Sequence, residues 1–265
     1  MREGMNGAGR MLALMMILIM TLCSAAAGET ISGENPLRGY DEKEKYQYVL
    51  LGTYPYEADG TVAPLLWRVL DVEENSALLL TENVIDVQQA IFVTDKQAVD
   101  KHDYRRVTDY METDLPGWMN AYMFPLIFGE DPMAEAVMEE ARGWLYCLTD
   151  KEYLTAKYGF STGRFGVHKE RIATGTPYAK SVKLTSWAKT LYADRKTKGV
   201  SYWIAEIKNA TEVKMGIVGY DGHLSFGAYS RTNIGVRPAL RLDLTLCEIV
   251  GGSGTKEDPF ILGRV

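Results

Sequence analysis

Short apolar runs separated by turns recur along this sequence, and they restrict the fold to one in which β-strands dominate. The polar turn 73–76 separates two of these runs and predicts a hairpin. Asp221-Gly222 has the composition of a second tight hairpin turn. The predicted strands are residues 46–51, 65–72, 77–81, 202–205, 213–218, 224–226 and 236–242, with Pro238 marking an edge or bulge and a closing strand after Asp258-Pro259.

Helical signals lie between the two groups of strands. Apolar residues from Leu115 to Met123 recur with helical spacing, which predicts a helix with Asp114 as N-cap and Pro125 as its stop. Asp131-Pro132 predicts a second helix that ends at Gly143, followed by a strand at 144–148. Thr149 and Glu152 have the spacing of a capping box for a short third helix ending at Gly159. The mixture predicts an α+β fold.

The N-terminus has the pattern of a secretory signal peptide, residues 1–27. Arg2 and Arg10 precede an apolar run at 11–19, and Ala25-Ala26-Ala27 predicts cleavage after Ala27. Lipidation at Cys23 is disfavoured because bulky Leu22 precedes it. An uncleaved anchor is also disfavoured, because it would need about 20 apolar residues and this run is shorter. We therefore expect a secreted, extracellular or cell-surface protein without a membrane span. Residues 28–45 lack apolar periodicity and predict a flexible leader before a single domain at 46–265.

Charge and cysteine content narrow the partners and the redox chemistry. Without Arg2, Glu3 and Arg10 the chain has 27 basic and 34 acidic residues, so nucleic acid is not an expected partner. Cys147 and Cys247 lie in apolar runs, which predicts two buried free thiols, although an oxidising exterior also permits a bridge. Neither forms a C-x-x-C pair.

Motifs for catalysis are missing from the sequence. It contains no H-E-x-x-H, G-x-S-x-G, P-loop or dinucleotide-binding pattern, and its three histidines lie far apart. We therefore expect no catalytic residue, no metal and no cofactor. A hydrolase needs only two suitable carboxylates, but the adjacent Glu139 and Glu140 lie on a helix predicted to be solvated.

Residues 160–200 show no lasting period and mix Gly, Ser, Thr, Lys and Arg with isolated aromatic residues. This composition predicts long ordered loops with a short helix after Thr176-Pro177. Trp67, Trp118, Trp144 and Trp203 are predicted core residues, and Arg237 is predicted to hold loop carbonyls or a carboxylate. Loop residues that suit recognition, or that serve only as solvated decoration, are Arg171, Thr176, Tyr178, Tyr229, Arg231 and Asn233.

An ordered series of short motifs resembles a bacterial family of exported domains of unknown function, family 6273, from residue 46 to about Leu242. The motifs are Trp67-Arg-Val-Leu70, Asp114-Leu-x-x-Trp118-Met-Asn120, Leu148-Thr-Asp-Lys-Glu152, Arg171-Ile-Ala-x-x-Thr176-Pro-Tyr-Ala179, Tyr202-Trp-Ile204, Val218-x-x-Asp221-Gly222 and Gly235-Val-Arg-Pro-Ala-Leu240. The sequence departs from the family after Trp203, where Ile204, Ala205 and Glu206 follow in place of the usual Trp-x-Leu-Arg-Ser motif and the Arg of that motif is lost.

The closing part of the series also resembles the C-terminal part of C-type-lectin-like folds, including the formylglycine-generating enzymes. This resemblance implies a mixed, mainly antiparallel sheet with flanking helices, irregular loops that carry the ligand face, and a first strand in the same sheet as one of the last 30 residues.

Three functions remain open at this point. The first is an exported domain that binds a glycan or a surface protein without catalysis. The second is a hydrolase of cell-envelope or other glycans with an unidentified carboxylate pair, and the third is a module that only displays loops. Calcium is not implied, because the loops between residues 160 and 235 are basic and have few acids.

Overall fold

The computed structural model describes residues 29–30, 36–88, 115–182, 196–209, 214–229 and 234–265. The predicted signal peptide, Asp114, Arg231 and Asn233 lie outside these ranges. Within them the fold is α+β, with mixed, mostly antiparallel sheets and few helices, as the sequence predicts at this level. None of the described helices is long and apolar enough to cross a membrane.

The larger sheet contains eight of the described strands. Its order is β1-β12-β13-β2-β3-β4-β11-β6, and only the pair β13–β2 is parallel. Its members are β1 (Glu29–Thr30), β2 (Tyr48–Pro55), β3 (Val62–Glu73), β4 (Ser76–Thr81), β6 (Val137–Met138), β11 (Ala239–Asp243), β12 (Cys247–Gly251) and β13 (Phe260–Arg264). The pairing of Phe260 with Val49 confirms that the first predicted strand shares a sheet with one from the last 30 residues.

The smaller sheet has the order β5-β10-β7-β8-β9, with β10–β7 parallel. Its members are β5 (Asp86–Gln88), β7 (Tyr202–Asn209), β8 (Lys214–Val218), β9 (Leu224–Tyr229) and β10 (Ile234–Val236). The strand predicted at 236–242 is therefore divided between two sheets. Pro238 has no N–H for a ladder, and its carbonyl instead accepts the Thr81 N–H at 3.0 Å where the chain crosses from β10 to β11.

Strands β3 and β4 lie between two apolar clusters, which explains why they have so few polar residues. Side chains alternate along a strand, so Val69 and Leu79 contact one cluster while Leu70 and Leu78 contact the other. The turn between the strands is the predicted one, with Glu73 opposite Ser76. Trp67, Trp118 and Trp203 are buried as predicted, whereas Trp144 is half-buried and stacks on Phe124.

The first predicted helix does not stop at Pro125. It consists of α1 (Leu115–Trp118), a π-helical turn (Met119–Met123) and α2 (Phe124–Phe128). The Phe124 N–H donates to the Met119 carbonyl, five residues back, and Pro125 then falls in the first turn of α2, where its missing N–H is tolerated. The chain leaves the helix at Gly129, which has a φ of 51°.

The second predicted helix is wrong beyond its first turn. Asp131 does cap it, with its Oδ1 accepting the Met133 N–H at 2.9 Å, but the turn Pro132–Ala136 is a 3-10 helix. Val137 then pairs with Leu242 of β11. A β-branched residue favours the extended conformation, and here it adds a short strand to the edge of the sheet. The predicted strand at 144–148 is reduced to one bridge between Tyr146 and Ala239. The capping box of Thr149 and Glu152 is present.

Residues 36–45, predicted to belong to a flexible leader, instead pack against the larger sheet. Leu37 is buried, the Arg38 N–H donates to Gln47 Oε1 at 2.7 Å, and the Tyr40 N–H donates to the Leu70 carbonyl at 3.2 Å. Cys147 and Cys247 are both buried and unpaired, as predicted. Burial raises the pKa of each thiol to about 12.

Candidate functional site

Arg171, a predicted recognition residue, is a fully buried structural residue. Its guanidinium donates to the carbonyls of Tyr153 at 3.0 Å, Ser161 at 3.4 Å and Gly163 at 2.6 Å. These bonds tie an irregular segment to the body of the fold, because one planar cation satisfies three carbonyls. The structure therefore removes Arg171 from the candidate ligand face.

Thr176 is also internal, and its role is to begin a helix. Its side chain accepts the Ala179 N–H at 3.1 Å as the N-cap of α3 (Pro177–Ser181), and its own N–H donates to the Val84 carbonyl at 2.9 Å. The short helix predicted after Thr176-Pro177 is thus confirmed. The buried threonine positions α3 and is not itself available to a ligand.

Tyr178 keeps an accessible side chain and lies in a group that we call the tyrosine edge, Tyr54, Tyr56 and Tyr178. Its N–H donates to the Tyr56 carbonyl at 2.8 Å, and its ring meets that of Tyr54 edge-on, with centroids 6.1 Å apart. Tyr56 and Tyr178 are half-buried, whereas Tyr54 is buried beneath them. The edge therefore presents two tyrosines on a support fixed by backbone hydrogen bonds.

A buried carboxyl group, Asp86, lies beneath the tyrosine edge. Its Oδ2 accepts the Tyr54 hydroxyl at 2.5 Å and its Oδ1 accepts the Val87 N–H at 2.7 Å. The side chain is only 6% exposed, and this burial raises its pKa to about 6 against the effect of the two hydrogen bonds. Burial raises the pKa of both Tyr54 and Tyr178, and the Asp86 charge raises each of them further.

The other buried carboxylates of the described ranges, and the partly buried Glu82, contact cations. Glu82 pairs with Arg68 at 2.6 Å, Asp150 with Arg164 at 2.6 Å and Asp71 with Lys157 at 2.8 Å. No ion pair to Asp86 is present among the described residues. Asp86 thus differs from carboxylates whose role is to hold elements together, and a raised pKa of this kind marks a candidate functional group. The sequence signal was an acid inside the apolar run Val84-Ile-Asp-Val87.

The second half of the predicted ligand face is described only in part. Tyr229 ends β9, while Arg231 and Asn233 fall outside the described residues. The residue that follows, Ile234, pairs with Gln88 of β5, and α3 contacts the same strand. The fold therefore brings the Tyr178 helix and the chain after residue 233 to one short strand.

A second exposed feature, missed in the sequence, is the loop tip formed by residues 163–169. Phe165 is 72% exposed and Val167 is 64% exposed, on either side of Gly166. The tip is fastened to the β8–β9 hairpin, since the His168 N–H donates to the Asp221 carbonyl and the Leu224 N–H to the Arg164 carbonyl, both at 2.9 Å. The sequence signal for this exposed tip was a pair of apolar residues around a glycine, flanked by basic residues, in Arg164-Phe-Gly-Val-His-Lys169.

Arg237 has the predicted structural role, donating to the carbonyls of Thr81 at 2.8 Å and Glu82 at 3.3 Å. No group of three or more potential metal ligands occurs within the described ranges. No family model matches the chain, and neither the curated proteins nor the solved structures include a significant match to it.

Proposed function

We propose that this protein is an exported ligand-binding domain without catalysis, and that it recognises a glycan at the tyrosine edge. The observation that carries the proposal is the half-buried Tyr178, fixed by its backbone to Tyr56 and supported by the buried pair of Tyr54 and Asp86. Such a surface needs little ordering when a ligand binds, because its backbone and the Tyr178 ring are already held.

The chemistry of the edge suits a sugar. Tyrosine presents an apolar ring face and a hydroxyl at its rim, which match the C–H face and the hydroxyl groups of a pyranose. Glu57 and Asp59, exposed in the following turn, add acceptors for sugar hydroxyls. A surface protein would be expected to need a larger apolar patch than these two rings supply.

The hydrolase alternative would require a second carboxylate at a defined separation from the first, about 5 to 9.5 Å. Asp86 has the raised pKa of a general acid but lies buried under Tyr54. The carboxylates that contact cations serve the scaffold, which favours binding over hydrolysis.

Membership of family 6273, a C-type-lectin-like arrangement and secretion after cleavage near Ala27 form part of the same proposal. The ordered motifs and the apolar N-terminal run support them, as does the adjacency of β2 and β13, since the resemblance implies that the two ends of the domain meet.

The test is a binding array of glycans and peptidoglycan fragments, run beside a hydrolysis assay on the same ligands. We expect Tyr178→Ala to weaken glycan binding about tenfold or more while the fold is retained, because the side chain is only half-buried and the backbone hydrogen bond to Tyr56 remains. Tyr122→Ala, a half-exposed tyrosine of the π-helical turn, is the matched control and should bind like the parent. Release of sugar, binding to proteins alone, or no binding at all would each overturn the proposal, in favour of the hydrolase, surface-protein or display alternative.

A further inference from the structure

We propose that the loop tip, residues 163–169, docks on the surface of an anionic lipid bilayer. The tip is distinct from the tyrosine edge, and the proposal does not depend on glycan binding. It rests on three observations: an apolar apex, a fixed backbone and a basic surround.

The apex consists of two large apolar side chains that project from the fold. Phe165 and Val167 are among the most exposed large apolar residues of the described chain, at 72% and 64%. Gly166 between them has a φ of 97°, and a Cβ added there would meet no other atom within 4 Å. Both side chains are therefore largely accessible to solvent, and such a pair of apolar side chains can enter the boundary between headgroups and acyl chains.

The backbone beneath the apex is held from both sides. Arg171 donates to the Gly163 carbonyl at 2.6 Å, and the hairpin holds Arg164 and His168 through the two backbone bonds described above. Gly222 of the hairpin, with a φ of 87°, packs so closely on His168 that a Cβ would clash with its carbonyl. The tip thus holds its apolar side chains in an exposed position, and docking requires little further ordering.

The charges around the tip favour an anionic partner. Lys169 is exposed on the tip itself, and Lys198 is exposed on a turn joined to the hairpin, where Thr197 Oγ1 donates to the Tyr220 carbonyl at 3.2 Å. Two acids of the same region, among the residues that the structure describes, have internal partners: Asp221 contacts His223, and Glu170 Oε1 accepts the Ser161 N–H at 2.8 Å. Exposed lysines on a chain of net charge −6 thus form a local patch complementary to acidic headgroups.

Among anionic partners, a bilayer fits the apex better than an acidic glycan or an acidic peptide. Val167 has no hydrogen-bonding group and no ring face, and the apex between Arg164 and His168 has no polar side chain to orient a sugar. A lipid interface requires only apolar side chains at the centre and cations at the rim, and the tip has this arrangement.

The experiment is co-sedimentation of the purified protein with vesicles of phosphatidylcholine alone and with vesicles of equal parts phosphatidylcholine and phosphatidylglycerol. We expect binding to the anionic vesicles, weakening as salt is added, and little binding to the neutral ones. Replacing Phe165 and Val167 together by Ala should lower the partition coefficient about tenfold or more, and Lys169→Glu with Lys198→Glu should remove most of the salt dependence.

Two controls separate this result from misfolding and from the proposed glycan site. Leu126→Ala changes a side chain of α2 that is 61% exposed, and it should sediment like the parent. Tyr178→Ala should keep vesicle binding even if it abolishes glycan binding. Sedimentation that is unchanged in the folded double-alanine variant, no sedimentation by the parent, or tip-dependent binding to soluble acidic polysaccharide or acidic peptide in place of vesicles would overturn the proposal.

Discussion

Asp86 carries its carboxyl group in an apolar part of the fold, and this makes the stability of the protein sensitive to pH. Its pKa is about 6 in the folded chain against 3.8 for an unperturbed group, so the folded state binds the proton more tightly. The stability gained from this proton is complete below the unfolded pKa and is lost as the pH rises through about 6. The shift corresponds to about 3 kcal/mol in the free energy of unfolding.

We therefore predict that Asp86→Asn is stabilised relative to the parent as the pH rises from about 4 to about 7. The amide cannot ionise and still offers hydrogen-bond partners to Tyr54 and Val87. Urea unfolding at several pH values measures the difference between the two proteins, which should grow by roughly 2 to 3 kcal/mol across this range. Parallel stability curves for parent and variant would contradict the assignment.

The difference in the free energy of unfolding between Asp86→Asn and the parent does not include the pH dependence that other carboxylates contribute equally to both proteins. Burial disfavours the charged form of Glu82, but Arg68, Arg237 and Lys256 outweigh burial and lower the pKa of Glu82. Its effect on stability therefore changes with pH in the direction opposite to that of Asp86. Its contribution is the same in both proteins and cancels, provided that the substitution leaves the Arg68 contact intact.

The candidate site could be predicted from the sequence only as a region. Arg171, Thr176 and Tyr178 share the composition of a recognition loop, but composition does not show which side chain faces inward. Arg171 turns inward because the irregular segment leaves carbonyls that need a donor, and this need arises only once Tyr153 and Gly163 are neighbours. Asp86 was missed for the same reason, since the Tyr54 hydroxyl reaches it from a distant strand.

At the scale of elements, the β8–β9 hairpin needs glycine at position 222 both for its left-handed backbone and for its close contact with His168. Gly60, which has nearly the same backbone but no such contact, separates the two effects. Gly222 and Gly60 have nearly the same backbone, with φ values of 87° and 89°, but only Gly222 touches another segment, at His168. A Cβ at Gly60 would meet nothing within 4 Å. Gly60→Ala therefore measures the strain of the left-handed backbone alone.

We predict that Gly60→Ala lowers the free energy of unfolding by about 1 to 2 kcal/mol. Gly222→Ala should lower it by a further 1 to 3 kcal/mol, because the added methyl group pushes the hairpin away from the loop tip. Chemical denaturation of both variants measures the difference. Equal losses would show that the contact between hairpin and tip contributes nothing to stability.

Elements whose signals lie in neighbouring residues were predicted well, whereas elements that depend on pairing with a distant strand were not. The turn after Glu73, the cap at Asp131 and the capping box at Thr149 depend on neighbouring residues, and all are present. Residues 137–138 were expected to continue a helix, but they complete the edge of β11. No window of sequence around Val137 contains that partner, which lies about a hundred residues later.

At the scale of the molecule, the sequence predicted the class of fold and the meeting of its ends but not the division into two sheets. The resemblance implied that the first predicted strand shares a sheet with a strand from the last 30 residues, and β2 and β13 do. The division depends on Arg237-Pro238, where the chain leaves β10 and enters β11. Pro238 signalled an interruption, but whether a strand bends or changes sheet depends on Thr81 and Val236, which hold the two sides through distant partners.

A count of free thiols tests two features of the whole molecule, the cleavage of the signal peptide and the absence of a bridge between the two buried cysteines. Cys147 and Cys247 are buried within the fold, and their raised pKa keeps them as unreactive thiols. Cys23 lies in the predicted signal peptide. Titration of the protein collected from the culture medium should therefore detect no thiol in the native state and two after denaturation without reductant. Three would mean that the segment before Ala27 is retained. None after denaturation would reveal a bridge between the two buried cysteines, and the intact mass, which falls with cleavage, would identify the chain that had been counted.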